Sequence, residues 1–304
     1  MQGSITSASR EAMRPVFSRY KILFFHNEQW EGGVCDKNAF GTGTDPVQQL
    51  KPLLEYATEK YGKKLYVLAA DYGYGQISAE WVKKIAAENG ATVVESQLVP
   101  LDVSDFSSSI TGLQQAKPDV VVSLLVGASH AAFYRAFASA GLGESMKLVS
   151  ATFGIGNEHI LLPEQESKGI LTSYGYYQEL DNPANKEFLQ KWRAEYGDKY
   201  PYVTDSAATT WTGWHVWAKA VEKAGTFERD KVIAALEDGV EFDAPSGPVS
   251  FSGASHAMTQ SVSLAETDGK GFRILETHEG LRPEFEEEVC DLIDNPSLNK
   301  QFTP

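Results

Sequence analysis

The sequence predicts an α/β fold built on a parallel sheet with helices on both faces. Three observations predict it. Short apolar runs of strand length alternate with amphipathic stretches of helical period: "YKILFF" before "PVQQLKPLLEYATEKYG", "KLYVLAAD" before "ISAEWVKKIAAENG", and "DVVVSLLVG" before "SHAAFYRAFASAG". Runs of Val, Leu and Ile without polar alternation suit strands buried on both faces, which is the parallel-sheet condition. Gly90 and Gly141 follow two of the amphipathic stretches where helix C-termini belong.

Taken in order, residues 1–5 read as the end of a strand, residues 6–9 as a hydroxyl-rich turn and residues 10–20 as a helix. Ser7 is the expected N-cap, with Glu11 well placed for the helix dipole. Strand, polar turn and helix N-terminus together make a corner that can bind an oxygen. After Gly169 the pattern changes to a strand "ILTSYGYY", a helix over residues 183–196 and a long helix over residues 205–224 rich in Trp and Ala. Beyond Asp243, "GPVSFSG", "QSVSLAETDGKG" and "FRILETHEG" read as strands joined by turns. The chain has no short-period repeat, and 304 residues with 42% hydrophobic content suffice for two packed α/β units.

Composition narrows the function. The formal charge of −14, from 41 acidic and 27 basic residues, repels nucleic acid and anionic lipid, and no basic stripe interrupts it. The longest apolar run, "VVVSLLVG", is far short of the roughly 20 residues of a membrane span. A small-molecule partner is the expectation. Cys35 and Cys290 allow either one disulfide in an oxidising compartment or two free thiols in a reducing one, and the sequence leaves both open.

Enzyme-like signals are few. Gly127-Ala128-Ser129-His130-Ala131 stands at a strand-to-helix turn, where a nucleophile elbow belongs, but its fifth residue is Ala. The same pentapeptide recurs at residues 253–257 between two expected strands, a setting no elbow uses, so a Ser129 hydrolase is only a remote alternative. Gly73-Tyr74-Gly75 and Gly154-Ile155-Gly156 do not complete G-x-G-x-x-G, which argues against a dinucleotide. His26, Glu28 and Glu31 cluster after a strand in a pattern that a metal could use or that simply lines a cleft. No cofactor and no metal are expected. What remains is a set of loops at the carboxyl ends of expected strands, at residues 6–9, 26–30, 71–76, 127–130 and 152–157. Open α/β sheets bind ligands there. These loops are rich in hydroxyls, aromatics and glycines, which favours binding over turnover and makes Thr6, Ser7, His26, Glu28, Tyr72, Tyr74, Gly127 and Phe153 the candidate contacts.

Five stretches, "TSASREAMRPV", "WEGGVCDKNAFGTGTDPVQQL", "DYGYGQ", "PLDVSDFSSSITGLQQAKPDVVVSLLVG" and "DAPSGPVSFSGASHAMTQSVSLAE", occur in an order that resembles the type I periplasmic binding proteins. The resemblance is to the branch holding urea and short-chain-amide receptors of ABC importers, the amide sensor of amidase operons, and branched-chain amino-acid receptors. It implies a two-lobed fold, parallel sheets flanked by helices, with a hinge of three crossings near Gly43, Tyr177 and Pro245. Lobe one would be residues 1–43 plus 178–243, and lobe two residues 44–177 plus 244–304. The resemblance also places Met1 in the middle of the family's first lobe, so that about a quarter of a family member, its signal peptide included, is expected before it.

The same resemblance implies a solute receptor that captures a small nitrogenous ligand of the amino-acid, amide or urea class between its lobes. It would deliver that ligand to a membrane permease from the periplasm and catalyse nothing. A cytoplasmic amide-type sensor controlling a regulator is the alternative. By position, Ser7 matches the family's first-lobe hydroxyl that bonds ligand, and Tyr74 matches the second-lobe tyrosine that covers it. Glu28 falls where amide sensors have Thr, and His26 where they have Tyr. Phe153 falls where branched-chain amino-acid receptors place a Glu for the α-ammonium, which argues against the standard amino-acid clamp. A buried carboxylate must be paired or protonated, so Glu28 in a cleft would select amino, amide or amidine donors, whereas a solvent-facing Glu28 would select nothing.

Overall fold

A computed structural model describes residues 1–304 except Pro201 and Ser252. In chain order its first half runs α1 (Ser7–Tyr20), β1 (Phe24–His26), β2 (Val34–Asp36), β3 (Ala39–Gly41), α2 (Pro46–Lys60), β4 (Lys64–Ala70), α3 (Gly73–Glu88), β5 (Thr92–Val99), α4 (Ser107–Ala116), β6 (Val120–Leu124), α5 (Ala128–Ser139) and β7 (Lys147–Ser150). The remainder is α6 (Glu158–Leu161), α7 (Glu164–Ser167), β8 (Leu171–Tyr174), α8 (Pro183–Tyr196), α9 (Asp205–Ala224), α10 (Arg229–Glu237), β9 (Val240–Ala244), β10 (Gly247–Phe251), β11 (Met258–Thr267), β12 (Phe272–Leu281), α11 (Glu284–Val289) and β13 (Asn299–Gln301). These elements fall into two compact units. Unit 1 is Met1–Gln48, Gly175–Val262 and His278–Thr303; unit 2 is Gln49–Tyr174 and Ser263–Thr277, with Pro304.

Unit 2 is the expected α/β body. Its strands follow the order β5-β4-β6-β7-β8-β11, with β12 paired to β11. Pairing is parallel from β5 through β8, and β11 closes on β8 antiparallel. The middle strands are buried on both faces, six consecutive residues of β4 and all five of β6, because helices cover both sides. The covering face of α3 follows helical spacing through Ser78, Trp81, Val82, Ile85 and Ala86. Gly90 and Gly141 take the left-handed conformation expected just past a helix end.

Unit 1 departs from the parallel plan. Its strands β9, β10 and β11 pair antiparallel, β1 pairs β3 parallel, and β13 pairs β2 antiparallel. Phe25, Phe40, Val216, Ile233, Leu236 and Phe251 lie in one core cluster, and Tyr176, Phe188, Val203 and Ala208 in another. The strand expected over residues 1–5 reduces to a single parallel bridge between Gln2 and Phe25, because positive φ at Gly3 and Ser4 turns the chain away. Helix α1 begins three residues earlier than expected. Its N-cap is Thr6, whose side chain accepts from the Ser9 N–H at 3.1 Å, and Ser7 is the first helical residue. Ser252, in the expected strand over residues 247–253, lies outside the described residues.

The buried face of α1 is Ser7, Arg10 and Arg14, a polar stripe at helical spacing. Arg10 grips Glu31 with both terminal nitrogens, Nη2 to Oε1 at 2.5 Å and Nη1 to Oε2 at 3.2 Å, and lies 5.5 Å over the Trp30 ring. Arg14 donates through Nε to Asp36 at 3.2 Å and through Nη2 to Asn299. Cys35 and Cys290 form a disulfide that spans 255 residues of sequence, which resolves the choice left open by the sequence. Closing so long a loop restricts the unfolded chain strongly. Reduction should therefore lower the unfolding free energy by about 2–4 kcal/mol, read as a shift of the urea midpoint with and without reductant.

Candidate functional site

Glu28 sits in the loop after β1 and is 6% exposed. Gly43 brings a second backbone segment against this loop: a Cβ there would lie 2.0 Å from the Glu28 carbonyl oxygen, so only glycine fits. The Glu28 carboxyl accepts from Ser206 Oγ at 2.6 Å and from the Gln29 N–H at 3.3 Å. Among the described residues no Lys, Arg or His bonds it. Burial pushes its pKa up to about 7, with the Ser206 hydroxyl and the Gln29 amide holding it from going higher.

Asp205, at the start of α9, is the neighbour that sequence reasoning missed. It is 4% exposed, its Oδ1 accepts from the Tyr176 N–H at 2.8 Å, and its Oδ2 is buried without a hydrogen-bond partner. Burial and then the nearby charge of Glu28 push its pKa up to about 8. Gly175 leaves space beside this carboxyl, since a Cβ there would meet Gln260 Oε1 at 3.0 Å and Asp205 Oδ1 at 3.6 Å. Unit 1 thus holds two buried carboxyls close enough to repel, a hydroxyl aimed at one of them, and no bonded cation. In sequence Asp205 reads as an ordinary acidic residue in a first helical turn; nothing local reveals its burial.

The other predicted residues of unit 1 are placed as follows. Thr6 caps α1, and Ser7 is buried in its first turn. His26, at the end of β1, has its pKa held well below the ordinary value by burial and then by the Arg10 charge, so it stays neutral. Glu31 belongs to Arg10 and Gln301. His26, Glu28 and Glu31 therefore do not converge, and the described residues hold no group of three or more His, Cys, Asp or Glu placed for a metal.

In unit 2, Tyr72 precedes α3 as its N-cap and Tyr74 lies buried in its first turn, their rings 6.1 Å apart. The glycine after Tyr74 has a packing role: a Cβ on Gly75 would lie 2.0 Å from the Ala70 carbonyl. Gly127, with φ at 70°, precedes α5 and has open space at its missing Cβ, the nearest atom at 3.9 Å. Phe153 is fully buried against Tyr134 and Phe272, so its side chain belongs to the core. The N–H groups of Gly154 and Gly156 donate to the carboxylate of Glu158 at 2.7 and 3.2 Å, which leaves that glycine pair no open anion site. Ser129 donates to the Val126 carbonyl at 3.0 Å, and His130 is bonded to Tyr134, so no nucleophile and base meet.

The fold is of the open α/β type, with strand-end loops that carry polar and aromatic groups. The family model described as "periplasmic binding protein" matches residues 1–272, and the chain belongs to that family. It is 28% identical over 222 residues to a Leu/Ile/Val-binding protein homolog of Brucella melitensis, an alignment covering 72% of this chain and 56% of that protein. The chain thus spans only about half the length of the curated relatives it matches. Two solved structures of solute-binding proteins of ABC transporters from Rhodopseudomonas palustris are each 26% identical, with 93% of this chain and 78% of theirs covered. Their TM-scores are 0.81 and 0.82, and their complexes hold 4-hydroxybenzoate and p-hydroxybenzoic acid.

The close approach at Gly43 is the local feature that positions Glu28. Gly43→Ala should cost about 1–3 kcal/mol in urea unfolding, because the new methyl meets rigid backbone. The same change at Gly141, where a Cβ would meet nothing within 4 Å, should cost only the strain of its left-handed φ, about 1 kcal/mol.

Proposed function

We propose that the protein is the solute receptor of an ABC importer, that it works in the periplasm, and that units 1 and 2 are its two lobes. The observation that carries the ligand class is the buried Glu28 carboxyl with Asp205 beside it and no cation bonded to either. Ionising both away from water is costly, and a ligand that brings N–H donors or a positive charge offsets that cost. The expected ligand is therefore a small nitrogenous solute of the amino-acid, amide or urea class. An ammonium group is favoured, because it can serve both carboxyls. Thr6, Ser7 and Glu28 are the contacts proposed on unit 1. Phe153 would act only by holding its loop. The disulfide supports an oxidising compartment.

A second reading takes its support from two of the structural neighbours, whose complexes hold hydroxybenzoates: a hydroxybenzoate-type acid whose carboxylate accepts from a protonated Glu28. The two readings predict opposite pH slopes. An ammonium ligand needs Glu28 ionised, so its affinity should rise about tenfold between pH 6 and pH 8 as the competent fraction grows. A carboxylate ligand needs Glu28 protonated, so its affinity should fall over the same range. Calorimetric titration with branched-chain and aromatic amino acids, short amides, urea and 4-hydroxybenzoate reads both the class and the sign. Glu28→Gln should weaken an ammonium ligand by at least tenfold. Binding of 4-hydroxybenzoate alone, with affinity falling as pH rises, would overturn the nitrogenous reading.

A further inference from the structure

We propose that Asp45 and Glu286 form a proton-sharing latch that fastens the C-terminal arm of unit 1, His278–Thr303, to the start of α2, and that losing the proton loosens the arm. Asp45 and Gln48 cap α2 reciprocally: the Gln48 N–H donates to Asp45 Oδ1 at 2.8 Å, and the Asp45 N–H donates to Gln48 Oε1 at 3.2 Å. Glu286, in α11, accepts from the Gly33 N–H at 2.9 Å through Oε1. The remaining oxygens, Asp45 Oδ2 and Glu286 Oε2, are buried and take no N–H or hydroxyl donor. A Cβ on Gly32 would meet Glu286 Oε1 at 2.7 Å and the Pro46 ring at 3.2 Å, which places the Glu286 carboxyl at the start of α2 beside Asp45, close enough for the two to interact by charge and hydrogen bond. Two carboxylate oxygens can bond only through a proton, so one group of the pair is an acid.

The surroundings leave the proton no substitute. The residues are 1% and 0% exposed, and among the described residues no Lys, Arg or His bonds either carboxyl. Glu284, on the same short helix, adds like charge to Asp45. Glu31, in the loop that carries Gly33, is held by Arg10, and Arg282 is held by Glu287. Burial pushes Asp45 up to about 6, while burial and then the Asp45 charge push Glu286 well above the usual carboxyl range. The latch stands at the exit of the chain from unit 1. Gln48 is that unit's last residue before the chain enters unit 2, and its Nε2 donates to the carbonyls of Leu281 in the arm and Met258 in β11, both at 2.8 Å.

Unfolded Asp45 and Glu286 ionise near pH 4 to 4.5, roughly, whereas the folded pair keeps a proton to higher pH. The stability it contributes is present in acid and lost as pH rises through the folded pKa. The test is the thermal midpoint from pH 5.5 to 8 for wild type, Glu286→Gln and, as a surface control on the same helix, Glu288→Gln. Gln at 286 can still accept from Gly33 and can donate to Asp45, so it mimics the latched state at every pH. The wild-type midpoint should fall by roughly 2–6 °C more than that of Glu286→Gln, with the control following wild type. Hydrogen exchange should show the amides of residues 281–289 losing protection relative to β6 as pH rises in wild type only. Asp45→Asn, which keeps an acceptor for the Gln48 N–H, gives the same comparison should Glu286→Gln fail to fold. Parallel pH curves for wild type and both variants would overturn the latch. So would a wild-type slope that millimolar calcium abolishes and chelator restores, since the pair would then hold a cation.

Discussion

A carboxylate cannot be left alone in a protein interior, and unit 1 buries Glu28, Glu31, Asp36, Asp45, Asp205 and Glu286. Each finds one of three solutions. Glu31 and Asp36 are neutralised by Arg10 and Arg14, which is why the inner face of α1 is basic where an ordinary packing helix is apolar. Asp45 and Glu286, in the latch we propose, share a proton. Glu28 and Asp205 have neither an arginine nor a shared hydrogen bond. They repel each other, and the Ser206 hydroxyl and the Tyr176 amide only partly compensate. That residual imbalance is where a ligand of complementary charge gains most.

The scaffold follows from this distribution. Unit 2 buries no Asp or Glu among its described residues; the polar groups in its interior are neutral, such as the bonded His130, Tyr134, Ser150 and Thr152. Unit 1 carries the buried charges, and its fastenings are correspondingly specific: two buried arginines, one disulfide, and a β13–β2 pairing that brings Asn299 to Arg14 and Gln301 to Glu31. Interactions of this kind fix which segments meet and leave few alternative packings. A site that must hold its charged groups in place before its ligand arrives needs such a frame.

Sequence patterning was most informative where burial is apolar and local. The helices over residues 183–196 and 205–224 match the structure residue for residue, because Pro183 and Asn182 mark one start and Gly225 marks the other end. The strands of unit 2 were legible from their Val and Leu runs. Strand β5 was not, since it is largely exposed and its sequence "TVVESQLV" mixes polar and apolar residues without a clean period. The N-terminal strand failed because positive φ at Ser4 carries no sequence signal in a serine. At the site, Glu28 stood out as an acid in a strand-end loop. Asp205, Asp45 and Glu286 carry no local signal of burial, and only the tertiary fold buries them.

The most direct test of this account is the titration of the Glu28 carboxyl itself, followed by 13C NMR with Glu28→Gln for assignment. In the ligand-free protein the signal should titrate near neutral pH, displaced upward by burial. Saturation with an ammonium-bearing ligand should move that titration down toward the ordinary carboxyl range, about pH 4. A Glu28 that titrates in the ordinary range without ligand, or one whose titration ignores bound ligand, would contradict the claim that this buried charge selects what the protein binds.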